Sequence, residues 1–503
     1  MQPGLSSGKC ELGRIARFFA QRLATAREAS LRLSSRHHPC CVSSKALKRA
    51  RRVFSSSIRA YRRTNGNLNA QRPIVACRCL AFQLSFNSLL GAMWSTGVGI
   101  RAEVDDMRDS ETGHFGNSFK RVSVDSFRRL CNVELELRPL TVLIGANGTG
   151  KTSLLDILSL LSSSAQGSLN KTISDLSGLT ALITYSRAKD ILLGVSMSVP
   201  DHEPLDYRLR LAPQGTGYAI AEENLSQQPD RDSNDPLSVQ YIVSEASHVE
   251  YFDRDKGVRV RPTWEYKPLE TALFQVPKTY RVQEGFRAKL ASCTYYHILD
   301  VDSRSPVRLP QLLQPVASSS LPGKDGEDLV SCLYNLREVD RERFESVEDS
   351  LRAAFPTFER LDFPPVAAGT LAMTWRDKNF SRPLYMHQLS EGMLRFLWLA
   401  ALLASPGLTA LTLLDEPEVS LHPELLSLLA GLLREAADRT QLVVATHSDR
   451  LIRFLKPSEV VVIDSDEEGM AQLTWADQLD LDAWLGEYAL DDVWRMGRMG
   501  GRA

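Results

Sequence analysis

Alternation of apolar and polar positions begins near Phe119. Val122-Ser123-Val124 and Val133-Glu134-Leu135-Glu136-Leu137 place an apolar side chain at every second residue, the period of a strand with one buried face. Leu140 to Ile144 is a short, largely apolar run, the pattern of a central strand buried on both faces. From Ser153 to Leu161 the apolar density and spacing become those of a helix. Strand-like alternation returns at Ile191 to Val199 and Tyr207 to Leu211. Val249 to Val260 reads as a hairpin whose turn contains Gly257. Residues 223–236 are rich in Asn, Gln, Asp, Ser and Pro and read as an exposed loop. Residues 327–354 read as helices, and a parallel α/β pattern runs from about 386 to 465. No internal repeat and no heptad run long enough for a coiled-coil arm is present.

These patterns predict an α/β protein. One mixed-sheet domain is expected in two parts, 116–169 and 386–503, interrupted at 170–385 by a long inserted arm or lid, β-rich and helical. Composition permits a sizeable core, with 43% hydrophobic and 24% charged residues in 503. The near-neutral net charge hides a split. Residues 1–100 hold 17 Lys or Arg against only Glu11 and Glu28, while the remainder holds 43 bases against 59 acids. Residues 1–115, rich in Arg and Ser, are expected to be disordered or not native. Three readings stay open: an untranslated leader with Met93 or Met107 as the true start, a targeting segment, or a basic arm for nucleic acid. Outside this leader only Cys131, Cys293 and Cys332 occur, too scattered for a metal cluster and suited to a reducing cytoplasm. No run reaches the roughly 18–20 apolar residues of a membrane span, Phe396 to Ala404 being too short.

The candidate chemistry starts where the buried strand ends. Gly145-Ala146-Asn147-Gly148-Thr149-Gly150-Lys151-Thr152 lies between an apolar strand and a helix, the context a phosphate-binding P-loop requires. Its glycines let backbone N–H groups wrap phosphates, and the helix N-terminus adds partial positive charge. Lys151 is expected on the β- and γ-phosphates, and the Thr152 hydroxyl on Mg²⁺, with Ser153 completing the candidate ATP-binding set. Further on, Leu411-Thr412-Leu413-Leu414 runs into Asp415-Glu416-Pro417. Asp415 fits the role of holding Mg²⁺, and Glu416 that of a base for the attacking water. Leu389-Ser390-Glu391-Gly392 opens an apolar helix, so Ser390 and Gly392 can grip an anion. Gln441 to Ala445 reads as a strand ending in Thr446-His447-Ser448, where His447 can sense a γ-phosphate.

This order of elements resembles the ABC ATPase superfamily. The segments around Thr141 to Asn147, Asp415 to Glu418, Leu421-His422-Pro423 and Ala445 to Ser448 are similar to the soluble RecF/SMC-like predicted AAA family ATPases. So is the ending with Trp484, Tyr488, Trp494 and Gly500-Gly501-Arg502. The resemblance covers about 120–503. It implies ATP and Mg²⁺ as cofactors, and a homodimer in which Ser390 and Gly392 of one copy cap ATP on the P-loop of the other. It also implies a switch role for His447 and a loop at Ser420-Leu421 that meets the second copy. Three outputs remain open: a DNA-linked maintenance or repair ATPase, a defence or toxin–antitoxin ATPase regulating an effector protein, and a transporter subunit. The chain departs from the transporter pattern. About 240 residues separate P-loop and signature, and no glutamine is clearly placed in a Gln-loop, Gln166 and Gln275 being the candidates. His297, Asp300 and Asp302 read as a solvated loop or a metal site. Arg304 or Arg308 could touch nucleotide or a partner, and Arg259 and Arg261 belong to a basic patch or a solvated strand face.

Overall fold

The computed structural model describes residues 118–500, apart from 185–187, 201, 229–237, 246–247, 255, 313–320, 368–369, 482–483 and 485–486. The leader at 1–115 lies outside the described residues.

The first strands form as their alternation predicts. β1 (Phe119–Asp125) and β2 (Val133–Glu136) pair antiparallel, and β3 (Leu140–Ile144) is buried at every position. The P-loop helix (Lys151–Gln166) follows. Then come β4 (Ile191–Val199), β5 (His202–Gln214), β6 (Gly217–Gln227), β7 (Val239–Glu245), β8 (His248–Asp253), β9 (Val258–Val260) and the short β10 (Thr294–Tyr296). Six short strands, β11 (Gln311–Leu312), β12 (Phe358–Asp362), β13 (Pro365–Ala367), β14 (Thr370–Leu371), β15 (Thr374–Asp377) and β16 (Leu384–Tyr385), form two three-stranded sheets. The signature helix (Glu391–Ala404) precedes β17 (Leu411–Asp415), β18 (Gln441–Ala445), β19 (Val460–Ser465) and β20 (Ala471–Trp475).

Two large sheets organise the chain. One is antiparallel, in the order β2-β1-β4-β5-β6-β7-β8-β9. The other runs β10-β17-β18-β3-β19-β20 and is parallel except for β20. The side-chain period of two splits each inner strand between two cores. Val142, Leu414 and Val444 face the signature helix, whereas Leu143, Leu413 and Val443 face the P-loop helix. Gln441 ties the sheets together: its amide accepts from the Phe119 N–H at 2.7 Å and donates to the Phe119 carbonyl at 2.7 Å.

β4 to β9 continue the sheet begun by β1 and β2, and β10 enters the parallel sheet beside β17. The loop expected at 223–236 starts later. Residues 223–227 belong to β6, because Glu223 is drawn inside by partners from far along the chain. Its carboxylate accepts from the Ala272 and Leu273 N–H groups at 2.6 and 2.8 Å and from the Tyr207 hydroxyl at 3.1 Å. Among the described residues no helix is long and apolar enough to cross a membrane.

Candidate functional site

The P-loop leaves the C-terminal end of β3 and closes onto the P-loop helix. Gly145 has φ +154°. A Cβ there would lie 2.3 Å from the Ile463 carbonyl oxygen, so only glycine fits between the loop and β19. The helix starts at Gly150 with no side-chain cap and no acid in its first turn. Its first N–H groups and its positive dipole end are left for an anion. Asn147, Gly148 and Thr152 are exposed, while Lys151 is buried. The Lys151 ammonium donates to the carbonyls of Gly145 at 2.7 Å and Ala146 at 2.8 Å, and Thr149 Oγ1 donates to Ala146 at 2.9 Å. Burial lowers the Lys151 pKa, and the negative charges of Glu416, Asp415 and Glu418 oppose that shift. Ser153 Oγ accepts from Arg128 Nη1 at 3.2 Å, and the same guanidinium pairs with Asp156 at 2.6 Å.

Asp415 and Glu416 end β17, one strand removed from β3. The half-buried Asp415 accepts from the Tyr295 hydroxyl at 3.2 Å. Burial raises its pKa, against the pull of Tyr295 and His297. Glu416 has φ +49°, an unfavourable conformation for a side chain of its size. It is held there by its N–H on the Ala445 carbonyl at 2.8 Å and by His447 Nδ1, 2.8 Å from Oε1. Strained backbone of this kind persists where surrounding contacts over-determine it. Glu418 is buried. Its Oε1 accepts from the Thr446 hydroxyl, its Oε2 has no hydrogen-bond partner among the described residues, and burial raises its pKa.

The signature segment begins with Ser390 as N-cap, its Oγ accepting from the Met393 N–H at 3.3 Å. Such a cap stabilises a helix by about 1 kcal/mol and leaves the hydroxyl proton to donate outward. Ser390 is exposed, and no hydrogen bond among the described residues joins 389–393 to the P-loop. Gly392 packs against the Ser420 carbonyl. Arg395 fixes the same junction, donating to Val419 O at 3.3 Å, Ser420 Oγ at 2.6 Å and Leu299 O at 3.3 Å.

Thus the fold brings Gly145 to Ser153, Asp415, Glu416 and His447 to one edge of the parallel sheet, and leaves Ser390 and Gly392 on the signature helix. Other candidates fall elsewhere. Gln166 is committed to Ser162 and the Ala291 carbonyl, and Gln275 to the carbonyls of Lys267, Glu270 and Thr271. Arg308 clamps four carbonyls, those of Val301, Met386, His387 and Leu389, steadying the turn into Ser390. Arg259 pairs with Glu250, and Arg261 contacts His248, so both lie on a self-paired hairpin face. No His, Cys, Asp or Glu cluster among the described residues forms a metal cage by itself. The donor set nevertheless fits a cation carried in on phosphates: an exposed Thr152 hydroxyl, and a desolvated Asp415 carboxylate whose one hydrogen-bond partner shown is a phenol. Arg128, Tyr295 and Arg395 escaped sequence reasoning because each acts through a partner distant in the chain.

Comparison with known proteins finds the following similarities. Residues 119–250 match the family model "AAA ATPase domain", and residues 270–453 match "AAA domain, putative AbiEii toxin, Type IV TA system". The chain is similar to the OLD nuclease of Thermus scotoductus, 21% identical over 396 residues that cover 76% of this chain and 68% of that protein. Among solved structures it is similar to an Smc head bound to the C-winged helix domain of ScpA, with TM-score 0.45 and 15% identity over 71% of this chain and 97% of the other. An Smc head with an extended coiled coil bound to the C-terminal domain of ScpA from Pyrococcus furiosus aligns with TM-score 0.42 and 13% identity, over 76% and 98%.

Proposed function

We propose that the chain, two stretches of which match ATPase-domain family models, is a P-loop ATPase of the ABC/SMC-like superfamily that hydrolyses ATP as an ATP-gated homodimer acting in DNA-linked maintenance or repair. The observation that supports it is a half-built site. The P-loop and the Glu416–His447 pair share one edge, while the exposed cap Ser390 makes no hydrogen bond to the P-loop among the described residues. A second copy offers what each half lacks.

The proposed roles follow from the geometry. The P-loop N–H groups and Lys151 bind the phosphates, with Lys151 moving from two carbonyls to anionic oxygens. Thr152 and Asp415 hold Mg²⁺, which when bound supplies neutralising charge to the phosphate oxygens. Glu416 orients the attacking water and takes its proton on a carboxylate oxygen. His447 holds Glu416 in place through Oε1. Ser390 and Gly392 cap the nucleotide of the partner copy through the hydroxyl and the helix N-terminus.

A second output, a defence or toxin–antitoxin ATPase that regulates an effector protein, is favoured by the family model over 270–453.

The test is Glu416→Gln in saturating ATP and Mg²⁺. Light scattering after sizing should show a stable dimer with two ATP, and Lys151→Ala should stay monomeric. A monomeric Glu416→Gln protein with bound ATP would sink the dimer. Turnover stimulated by duplex DNA and lost with rising salt separates the first output from the second, in which a stably co-purifying protein is expected.

A further inference from the structure

β10 contributes three residues, but it places its successor at the catalytic edge. It runs parallel to β17, with Tyr295 beside Leu413 and Tyr296 beside Leu414. The next residues on the two strands, His297 and Asp415, therefore leave the sheet at the same level. In open parallel sheets ligands bind outside the carboxyl ends of the strands. The carboxyl ends of β3, β17 and β18 already carry the P-loop, Asp415-Glu416 and Thr446-His447. His297 is the corresponding residue of β10.

The face is also settled. Alternation along β10 sends Tyr296 toward the signature helix, where its ring meets Trp398 at 5.6 Å. Tyr295 goes the other way, into the core beneath the P-loop helix. The His297 ring lies 4.0 Å from that of Tyr295, so it shares the P-loop side. Tyr295 also donates to Asp415 at 3.2 Å, so one phenol braces both the imidazole and the carboxylate. His297 is exposed at the carboxyl end of β10, beside that of β17.

We propose that His297 is a further residue of the ATP site, its imidazole nitrogen joining the ligands of the divalent cation that the nucleotide carries. This rests on the ATP-site reading above and adds to it a preference among metals. Oxygen donors suit Mg²⁺, whereas an imidazole raises affinity for Mn²⁺ and Co²⁺ ahead of Mg²⁺. With His297 the site favours nitrogen-accepting cations. The two glutamines that might have provided a hard amide oxygen are engaged elsewhere in the fold.

The test uses the full chain with a non-hydrolysable ATP analogue and Mg²⁺, Mn²⁺ or Co²⁺. Nucleotide affinity is read by calorimetry, and pulsed EPR of the Mn²⁺ complex reads nitrogen coupling. His297→Ala should weaken the Mn²⁺ and Co²⁺ complexes about tenfold and the Mg²⁺ complex less than about threefold, a distinction an ordering role alone would not make. His297→Gln should restore Mg²⁺ affinity without the Mn²⁺ preference. The imidazole nitrogen coupling should vanish in His297→Ala and persist in His447→Ala. Unchanged metal preference, or coupling retained in His297→Ala, overturns the proposal while leaving nucleotide binding intact. Nucleotide affinity that is absent in the wild type, or equal to that of Lys151→Ala, overturns the ATP-site reading and this inference together. Because His297 is exposed, both substitutions should fold, and unchanged circular dichroism checks this.

Discussion

Gly392 faces the carbonyl oxygen of Ser420 so closely that a Cβ on Gly392 would sit 2.8 Å from it. The obstacle is backbone, and Arg395 pins it by bonding Val419 O and Ser420 Oγ. The signature helix and the loop that leaves Glu416 are therefore tied to each other. Gly392→Ala must push the two apart, a strain of about 1–3 kcal/mol. Turnover is expected to fall tenfold or more, while nucleotide affinity in the monomer changes less than about threefold. Steady-state ATPase rates beside a nucleotide titration check this, and wild-type turnover in Gly392→Ala would refute the coupling.

His447→Ala removes the group that holds the Glu416 carboxylate at 2.8 Å. With Glu416 in a left-handed conformation, loss of that hold frees it to swing away. A misplaced general base costs about 10²–10⁴-fold in the chemical step. Single-turnover kinetics should show the loss, with ATP still bound. A decrease confined to binding would assign His447 to phosphate contact instead.

Thr446→Val takes away the only hydrogen bond shown to the Glu418 side chain, whose other oxygen already has none. Leaving a buried carboxyl wholly unpaired costs about 1–3 kcal/mol. The melting temperature should drop in Thr446→Val. Thr446→Ser, which keeps the hydroxyl, should lie near the wild type. Equal melting temperatures for the two variants would show that the bond contributes nothing.

Glu223 gives a pH signature. Burial, the largest cause, pushes its pKa up to about 7, against its bonds to Leu273, Ala272 and Tyr207. Between the usual carboxyl value and that pKa, the folded chain holds a proton that the unfolded chain has released. Stability is then highest below the unfolded pKa and falls as pH rises through the folded one. The loss is on the order of 3 kcal/mol between pH 4.5 and 8 for a shift of this size. Glu223→Gln should flatten this slope in denaturant titrations. A slope identical to the wild type would show that Glu223 does not titrate in this range.

Much of the nucleotide edge was legible because its motifs are local. Gly145 to Thr152, the cap at Ser390 and the acids at 415 and 416 each occupy a few consecutive residues at an element boundary. Long alternating runs such as β4 and β5 were legible for the same reason. What escaped depends on distant pairing. β10 has only three residues, and its register comes from β17, so His297 read as part of a solvated loop or of a metal site with Asp300 and Asp302, and not as the end of a strand beside Asp415. Glu223 stands in a polar stretch, and its burial follows from N–H groups about fifty residues later. Arg308 looked like a ligand-binding cation, but carbonyls from other segments claim it.

The strand order also governs when the site can exist. β3 carries the P-loop, yet both of its neighbours, β18 and β19, come from residues 441–445 and 460–465. A ribosome adding roughly 5–20 residues per second needs about 15–60 s to go from β3 to the end of β19. Throughout that interval the apolar β3 has no ladder, and the Gly145 loop has no β19 to close against. ATP therefore cannot stabilise the nascent chain, and the nucleotide site assembles only when the last strands arrive. Chains stalled before residue 440 should be cut by protease within β3, whereas those stalled with β19 fully emerged should be protected there.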